Sequence, residues 1–231
     1  MEIIILAGGI GSRLLPITEN IPKPMVEIGG TPFLELLLKG YSKKGIDVAC
    51  LAIGYKKEVI IDYFSDWDLK LKLIYSVEQE ILGTGGALLN SLPLLGDEDV
   101  FVTNGDTFFD LDFGKMMKFH INNKSDVTVA VRTIRNYNRY GTILTDQDSR
   151  IVGFKDKVSM EEGLVNCGTY LVKRNSLESL GLPNAFSFET QILESDKLAL
   201  NRFAFSSEGY FIDIGVHADL ERARKNPEIF T

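Results

Sequence analysis

The residues best suited to chemistry lie in the loop after the apolar run Ile3-Ile4-Ile5. Arg13 belongs to this loop, and Lys23 follows between two prolines, which stiffen its placement. Glycines let main-chain N–H groups converge on an anion. The loop has three of them within four residues: Gly8, Gly9 and Gly11. The combination predicts a loop that binds a small phosphate-bearing ligand.

This loop differs from the two common glycine motifs for phosphate. A dinucleotide fingerprint read from Gly9 would need a small residue where Leu14 stands, and a P-loop would need a Gly-Lys pair that is lacking. Because glycine after a strand often forms only a turn, the phosphate interpretation depends on Arg13 and Lys23.

Two aspartates at predicted strand ends could hold a metal ion. Asp106 follows the apolar run 100–102, and Asp213 follows Phe211-Ile212. A lone aspartate there more often forms an Asx turn. Two of them beside a phosphate loop favour a shared Mg²⁺, which binds through one or two carboxylates and substrate phosphates.

The chain offers no Ser-His-Asp or Cys-His triad. His120 and His217 are interpreted as structural, although His217 is near enough to Asp213 in sequence to line the same cleft. Cys50 and Cys167 lack metal-ligand spacing and are interpreted as reduced packing residues. A phosphate monoester has a second pKa near ~6 and can attack phosphorus without a general base. Phosphoryl-type transfer by positioning, Mg²⁺ and cations therefore fits the residues present.

Alternating strands and helices in the first half would position these loops. Strands are predicted over 3–5, 46–53, 71–75, 100–103 and 127–131, and helices over 31–45, 57–64, 87–92 and 113–121. This order predicts an α/β, Rossmann-like fold with a mainly parallel sheet flanked by helices. Since ligands collect beyond the carboxyl ends of such strands, loops 8–13, 83–86 and 104–107 should share one cleft.

The second half has a different pattern, with hairpins. Runs 140–144 and 151–154 flank a turn at 146–149, and a strand is predicted over 164–172. A helix near 188–193, two short apolar runs at 203–205 and 210–212, and a last helix after Gly215 complete the chain. With 231 residues, 45% of them apolar, we expect a single domain, 1–231, in which 1–135 and 136–231 wall two different ligands.

Charge and hydropathy exclude several classes of partner. A net charge of −7 without a long basic cluster disfavours nucleic acid. Glu2 stands where a secretory signal would be basic, and no apolar run approaches the ~20 residues of a membrane span. The sequence predicts a cytoplasmic protein that binds no membrane. A homodimer stays open, and it would have to use the catalytic domain itself because the chain ends soon after the last helix.

Five ordered motifs resemble the signature of sugar-1-phosphate nucleotidyltransferases, and the resemblance spans nearly the whole chain. The motifs are Leu6-Ala7-Gly8-Gly9-x-Gly11-Ser12-Arg13-Leu14, Pro22-Lys23-Pro24-Met25, Leu82-Gly83-Thr84-Gly85-Gly86-Ala87, Gly105-Asp106 and Asp213-Ile214-Gly215. Segments 101–109, 139–141 and 211–215 are most similar to bacterial guanylyltransferases acting on D-glycero-α-D-manno-heptose 1-phosphate. The resemblance implies a nucleotide-diphospho-sugar transferase fold with a sugar-binding half at 136–231.

The resemblance also implies a role for each site residue. Arg13 would hold the β- and γ-phosphates, Lys23 would neutralise the α-phosphate, and Asp106 and Asp213 would bind Mg²⁺. Glu78 or Gln79 would read the base edge. The nucleotide-binding residues would be Leu6, Ala7, Gly8, Gly9, Gly11, Ser12, Glu78, Gln79, Gly83, Thr84 and Asn104, and the sugar-phosphate residues Gly141, Lys157, Asn166 and Glu189.

Two departures from the family pattern affect these expectations. Ser12 replaces the usual threonine and keeps its hydroxyl. Phe154-Lys155-Asp156-Lys157-Val158 replaces the usual Glu-Lys-Pro, so either Lys157 or Lys155 would bind the sugar phosphate.

The implied reaction joins GTP and a heptose 1-phosphate to give a nucleotide sugar and pyrophosphate. Uridylyl, thymidylyl or cytidylyl transfer to a hexose or amino-sugar 1-phosphate is the alternative within the enzyme class. A non-catalytic nucleotide-sugar sensor is the alternative from another class. The sensor is disfavoured because it need not keep both cations and both acids.

Overall fold

The structure is a computed structural model that describes residues 1–68, 70–137, 141–155 and 160–230. Its strands are β1 (Glu2–Leu6), β2 (Glu27–Ile28), β3 (Thr31–Pro32), β4 (Val48–Ile53), β5 (Lys72–Val77), β6 (Asp99–Asn104), β7 (Thr107–Phe109), β8 (Val127–Tyr137), β9 (Thr142–Thr145), β10 (Ile151–Lys155), β11 (Met160–Lys173), β12 (Arg202–Ser206) and β13 (Phe211–Asp213). Its α-helices are α1 (Phe33–Lys43), α2 (Lys57–Tyr63), α3 (Gly83–Ser91), α4 (Phe113–Asn122), α5 (Arg174–Glu178) and α6 (His217–Lys225).

A nine-stranded sheet forms the centre of the molecule. Seven strands follow the order β10-β9-β11-β6-β1-β4-β5, and β8 and β12 extend from β11. Strands β6, β1, β4 and β5 are mutually parallel, which confirms the Rossmann-like prediction for the first half. Pairings around β9, β10 and β11 are antiparallel, as the predicted hairpin requires.

Helices cover both faces of this sheet because buried strands carry apolar residues on both sides. In β1, Ile3 and Ile5 pack into one core and Ile4 into the other. The first core receives α1, α4 and α6, and the second receives α3 and α5. Both cysteines are free and buried, as predicted. Within the described ranges, no helix is long and apolar enough to cross a membrane.

Strand β11 connects the two halves of the sheet. Its residues 160–166 pair with β8, and Leu164 and Val165 also pair with β9. After a register shift between Asn166 and Tyr170, residues 169–173 pair with β6 of the parallel part. One continuous strand therefore contributes to both halves.

Several predicted boundaries were wrong for reasons of tertiary contact. Thr31 and Pro32 pair with 27–28 as β3, and α1 begins only at Phe33. Helix α3 begins at Gly83 instead of Ala87, because the Gly85 N–H donates to Phe186 O at 2.9 Å. The helix predicted near 188–193 is a π-helical turn, Glu189–Leu193.

Candidate active site

A cavity of about 500 Å³ lies beyond the carboxyl ends of β1 and β6. Loops 8–13, 83–86 and 104–107 all contribute to it, which confirms that they share one cleft. We call it the nucleotide cavity, after the ligand that the sequence resemblance implies for these loops. Its lining residues are Leu6, Ala7, Gly8, Gly9, Ile10, Gly11, Ser12, Arg13, Lys23, Pro24, Glu78, Ile81, Gly83, Thr84, Ala87, Asn104 and Asp106.

Glu78 lies against the glycine loop at the end of β5. A Cβ built on Gly8 would stand 2.6 Å from Glu78 Oε1, so glycine is needed for this close approach. Burial raises the pKa of Glu78, and the Leu82 N–H, 3.5 Å from Oε2, lowers it to a lesser extent. Gln79 is exposed and is not among the lining residues. Of the two residues predicted to read the base, Glu78 lines the cavity and Gln79 does not.

Asp106 and Asp213 are brought together by the two short strands β7 and β13. These strands pair antiparallel with Asp213 opposite Thr107, and the Ile214 N–H donates to Asp106 O at 2.9 Å. Burial raises the pKa of Asp213, and the neighbouring Asp106 carboxylate raises it further. Lys23, the Gly215 N–H and Arg13 act in the opposite direction. The two carboxylates therefore lie near enough for their charges to interact, and Asp106 belongs to the lining of the nucleotide cavity.

The two predicted cationic residues, Arg13 and Lys23, lie beside these aspartates. Lys23, whose side chain is only 8% exposed, forms an ion pair with Asp106. A Cβ built on Gly215 would lie 2.6 Å from Asp213 Oδ1, 2.9 Å from Lys23 Nζ and 3.3 Å from Arg13 Nη2. Arg13, Lys23 and Asp213 thus surround Gly215. Gly215 belongs to one of the sequence motifs, but the motif alone indicates no role for it. The need for glycine at this position arises from Arg13 and Lys23, which are distant in the chain.

A second cavity, of about 990 Å³, adjoins the first. We call it the sugar cavity, after the sugar phosphate that the sequence resemblance implies for this half of the chain. It is lined by Arg13, Asn104, Thr107, Gly141, Ile143, Val152, Gly153, Phe154, Lys155, Asn166, Cys167, Gly168, Tyr170, Glu189, Leu193, Glu194, Asp196, Phe211, Asp213 and Val216. Arg13 and Asn104 line both cavities. The space beside Arg13 is therefore where two ligands would meet.

Three of the four predicted sugar-phosphate residues line this cavity: Gly141, Asn166 and Glu189. The fourth, Lys157, lies outside the described residues, whereas its competitor Lys155 lines the cavity. Glu194 and Asp196 were missed. They precede β12 in a segment without any motif, so only the fold places them here.

Neither histidine belongs to the lining of the two cavities in the described part of the chain. His217 Nε2 lies 3.2 Å from Leu15 O at an exposed position. His120 is buried, its Nδ1 lies 2.7 Å from Thr128 Oγ1, and burial lowers its pKa. Both contacts join parts of the fold, in agreement with the structural interpretation.

The chain is similar to several known proteins over nearly its whole length. A family model described as Nucleotidyl transferase matches residues 2–228. The D-glycero-alpha-D-manno-heptose 1-phosphate guanylyltransferase of Aneurinibacillus thermoaerophilus is 41% identical over 97% of each chain. The Campylobacter jejuni enzyme of the same name is 41% identical over 95% of this chain and 96% of its own. The crystal structure of HddC from Yersinia pseudotuberculosis complexed with GMP-PN gives a TM-score of 0.88 at 33% identity, covering 97% of this chain and 98% of that one.

Proposed function

The chain belongs to the nucleotidyl transferase family, and we propose that it transfers GMP from GTP to D-glycero-α-D-manno-heptose 1-phosphate. The observation that carries this proposal is the pair of adjoining cavities with Arg13 and Asn104 in both linings. Such an arrangement can hold two phosphate-bearing substrates with their reacting groups in contact. The similarity to two heptose 1-phosphate guanylyltransferases over nearly their full lengths supports the choice of substrates.

The reaction needs little covalent chemistry from the protein. An oxygen of the sugar phosphate attacks the α-phosphorus of GTP, a new P–O bond forms, and the bond from that phosphorus to the leaving pyrophosphate breaks. The attacking phosphate is largely dianionic at neutral pH, so the absence of a catalytic histidine from the described lining is no obstacle. Arg13 and Lys23 would stabilise the negative charge on the triphosphate in the transition state.

Mg²⁺ is the metal that the donor set fits. Asp106 and Asp213 offer hard carboxylate oxygens. Burial, and then repulsion from Asp106, raises the pKa of Asp213, and a divalent cation would offset both effects. No group of three or more His, Cys, Asp or Glu side chains that could hold a metal occurs among the described residues. Two carboxylates suffice for an ion that also binds substrate phosphates, and the ion would neutralise charge on those phosphates.

Guanine suits the position of Glu78. The base presents N1–H and N2–H₂ side by side, and an ionised carboxylate accepts two such hydrogen bonds. Uracil and thymine have only a single ring N–H at this edge. The geometry therefore supports GTP over the uridylyl and thymidylyl alternatives.

We propose that this nucleotide sugar is a precursor of a surface polysaccharide such as capsule or lipopolysaccharide. We place the reaction in the cytoplasm because its substrate GTP is made there.

Pyrophosphate release, measured with a panel of nucleoside triphosphates and sugar 1-phosphates, tests the proposal. We expect turnover with GTP and the heptose phosphate, and its loss on Asp106→Asn. Faster turnover with UTP, dTTP or CTP would replace guanylyl transfer by one of the alternatives. Binding of GTP and sugar phosphate without release of pyrophosphate would instead indicate a sensor.

A further inference from the structure

A chain of hydrogen bonds connects the linings of the two cavities. It begins at Thr84 in the first turn of α3 and passes through Glu189 of the π-helical turn. It continues to Tyr170 and Asn166 on β11. Thr84 lines the nucleotide cavity, and the other three line the sugar cavity.

The hydroxyl of Thr84 forms hydrogen bonds with the segment that contains Glu189, a residue of the sugar cavity. This hydroxyl donates to Glu189 Oε2 at 2.7 Å and accepts from the Phe188 N–H at 2.9 Å. Ser187 Oγ donates to the same carboxylate oxygen at 3.0 Å. These bonds occupy Glu189 Oε2 and fix the plane of its carboxylate. The hydroxyl of Thr84 is thus engaged with the segment 187–189, which leaves its main-chain groups for polar contacts with the nucleotide.

Tyr170 links the other carboxylate oxygen to Asn166. The Tyr170 ring is 1% exposed and packs against Phe188, with ring centroids 5.0 Å apart. Its hydroxyl accepts from Asn166 Nδ2 at 3.0 Å, so its one proton is directed to Glu189 Oε1, 3.4 Å away.

Asn166 is fixed from its other end as well. The Gly168 N–H donates to Asn166 Oδ1 at 2.8 Å, within the register shift of β11. Each hydrogen bond in the chain therefore has a defined direction. Among the described residues, Glu189 Oε1 has one long contact and so keeps acceptor capacity for a ligand hydroxyl, and Asn166 Nδ2 has one partner and so keeps one N–H.

We propose that Thr84 and Tyr170 are positioning residues for the sugar phosphate, which act by holding Glu189 and Asn166 in the orientation that receives sugar hydroxyls. The inference rests on the proposed function, because it names the substrate of the second cavity. It also separates two roles within one residue. The Thr84 main chain faces the nucleotide, whereas its side chain serves the sugar.

Steady-state kinetics with GTP and D-glycero-α-D-manno-heptose 1-phosphate tests the inference. Thr84→Val removes the hydroxyl at nearly constant volume and should raise KM for the sugar phosphate about tenfold, the effect of losing a hydrogen bond to a carboxylate. KM for GTP should stay within about twofold, since the main chain is kept. Thr84→Ser restores a hydroxyl and should restore KM for the sugar phosphate.

Tyr170→Phe keeps the ring and should also raise KM for the sugar phosphate. In the double variant with Thr84→Val, the increase in KM for the sugar phosphate should be smaller than the product of the two single increases, because both residues act through Glu189. The matched control is Tyr41→Phe. Tyr41 is also buried, but it lies on α1 and lines neither cavity, so its substitution should leave both KM values unchanged. If Tyr170→Phe does not fold, the comparison of Thr84→Val with Thr84→Ser decides.

The inference is overturned if Thr84→Val raises KM for GTP and leaves that for the sugar phosphate unchanged, or if Thr84→Ser behaves like Thr84→Val. A wild-type enzyme that does not turn over the heptose phosphate argues against the proposed function instead. The same variants are then compared with whichever sugar 1-phosphate of the panel supports pyrophosphate release. Release with none of them overturns both proposals.

Discussion

At the scale of single residues, the proposed guanine recognition makes selectivity for the base depend on the ionisation of Glu78. Its carboxylate is half-buried against the glycine loop, and this burial raises its pKa above the ordinary value of a glutamate. Only the ionised form accepts two hydrogen bonds from guanine. The burial that shapes the cavity thus also makes base recognition sensitive to pH.

We predict that KM for GTP rises as the pH falls, and that the rise begins at a higher pH than an ordinary glutamate would give. Protonation of Glu78 removes an acceptor, so GTP binding weakens below the raised pKa. Glu78→Gln should flatten this dependence and weaken discrimination against UTP. A pH profile of kcat/KM for wild type and variant checks the prediction, and identical profiles would contradict it.

Asp213 is a second residue whose ionised side chain lowers the stability of the fold, because it is partly buried beside the Asp106 carboxylate. Its raised pKa means that ionisation at neutral pH costs stability, a cost that vanishes as the pH falls toward the ordinary pKa of an aspartate. Asp213→Asn removes this charge and keeps the Oδ1 that accepts from the Gly215 N–H.

We predict that Asp213→Asn is inactive yet more stable in EDTA at pH 7, with Tm raised by roughly 2–4 °C, as about 1 kcal/mol produces in a chain of this size. The gain should disappear at acid pH. Thermal scans across pH test this, with Asp62→Asn on the exposed part of α2 as the control. A lower Tm in EDTA would show that the carboxylate stabilises the fold.

At the scale of elements, the short strands β7 and β13 bring together the two aspartates that we propose as Mg²⁺ ligands. Strand β13 brings Asp213 opposite Thr107, directly after Asp106, and the chain then passes Gly215 before α6 begins. Since the space around Gly215 is filled by Asp213, Lys23 and Arg13, a side chain at position 215 would displace at least one of these three side chains.

We predict that Gly215→Ala lowers kcat by at least about tenfold, because its methyl group would displace Asp213 Oδ1 or Lys23 Nζ from a fixed geometry. The matched control is Gly40→Ala within α1, where an added Cβ meets nothing within 4 Å. That substitution should raise stability by about 0.5–1 kcal/mol and leave kcat unchanged. A wild-type kcat for Gly215→Ala would contradict the crowding argument.

Sequence patterns predicted the elements that depend on local order, and missed those that depend on distant contacts. The run Ile3-Ile4-Ile5 and the glycine loop after it were predictable because strand and turn are adjacent in the chain. The start of α3 depends on the Phe186 carbonyl, and the orientation of Asn166 depends on a register shift in β11. No local pattern encodes either contact. The meeting of Asp106 with Asp213 followed from the rule on strand ends, but its geometry required β7 and β13.

At the scale of the whole molecule, both cavities are built on one sheet. Strand β11 contributes Asn166 and Tyr170 to the sugar cavity, and its residues 169–173 pair with β6, which leads to Asp106. Separating the two halves would break this backbone ladder. The halves should therefore unfold together.

Hydrogen exchange measures this coupling. We predict that the amides of 169–173 exchange as slowly as those of β1, through global unfolding only. The edge strand β10 should exchange faster and serves as the internal reference. Exchange of 169–173 at the rate of β10 would show that the sugar-binding half opens independently.

The continuity of β11 has a consequence for the entropy of the reaction. Two reacting phosphates that meet in solution lose translational and rotational freedom at each encounter, and an enzyme with separate domains must also restrict their relative motion at each closure. Here the separation of the two binding sites is set by strand register when the chain folds. Part of the entropy cost of bringing the two phosphates together is therefore incurred when the protein folds, and not again at each turnover.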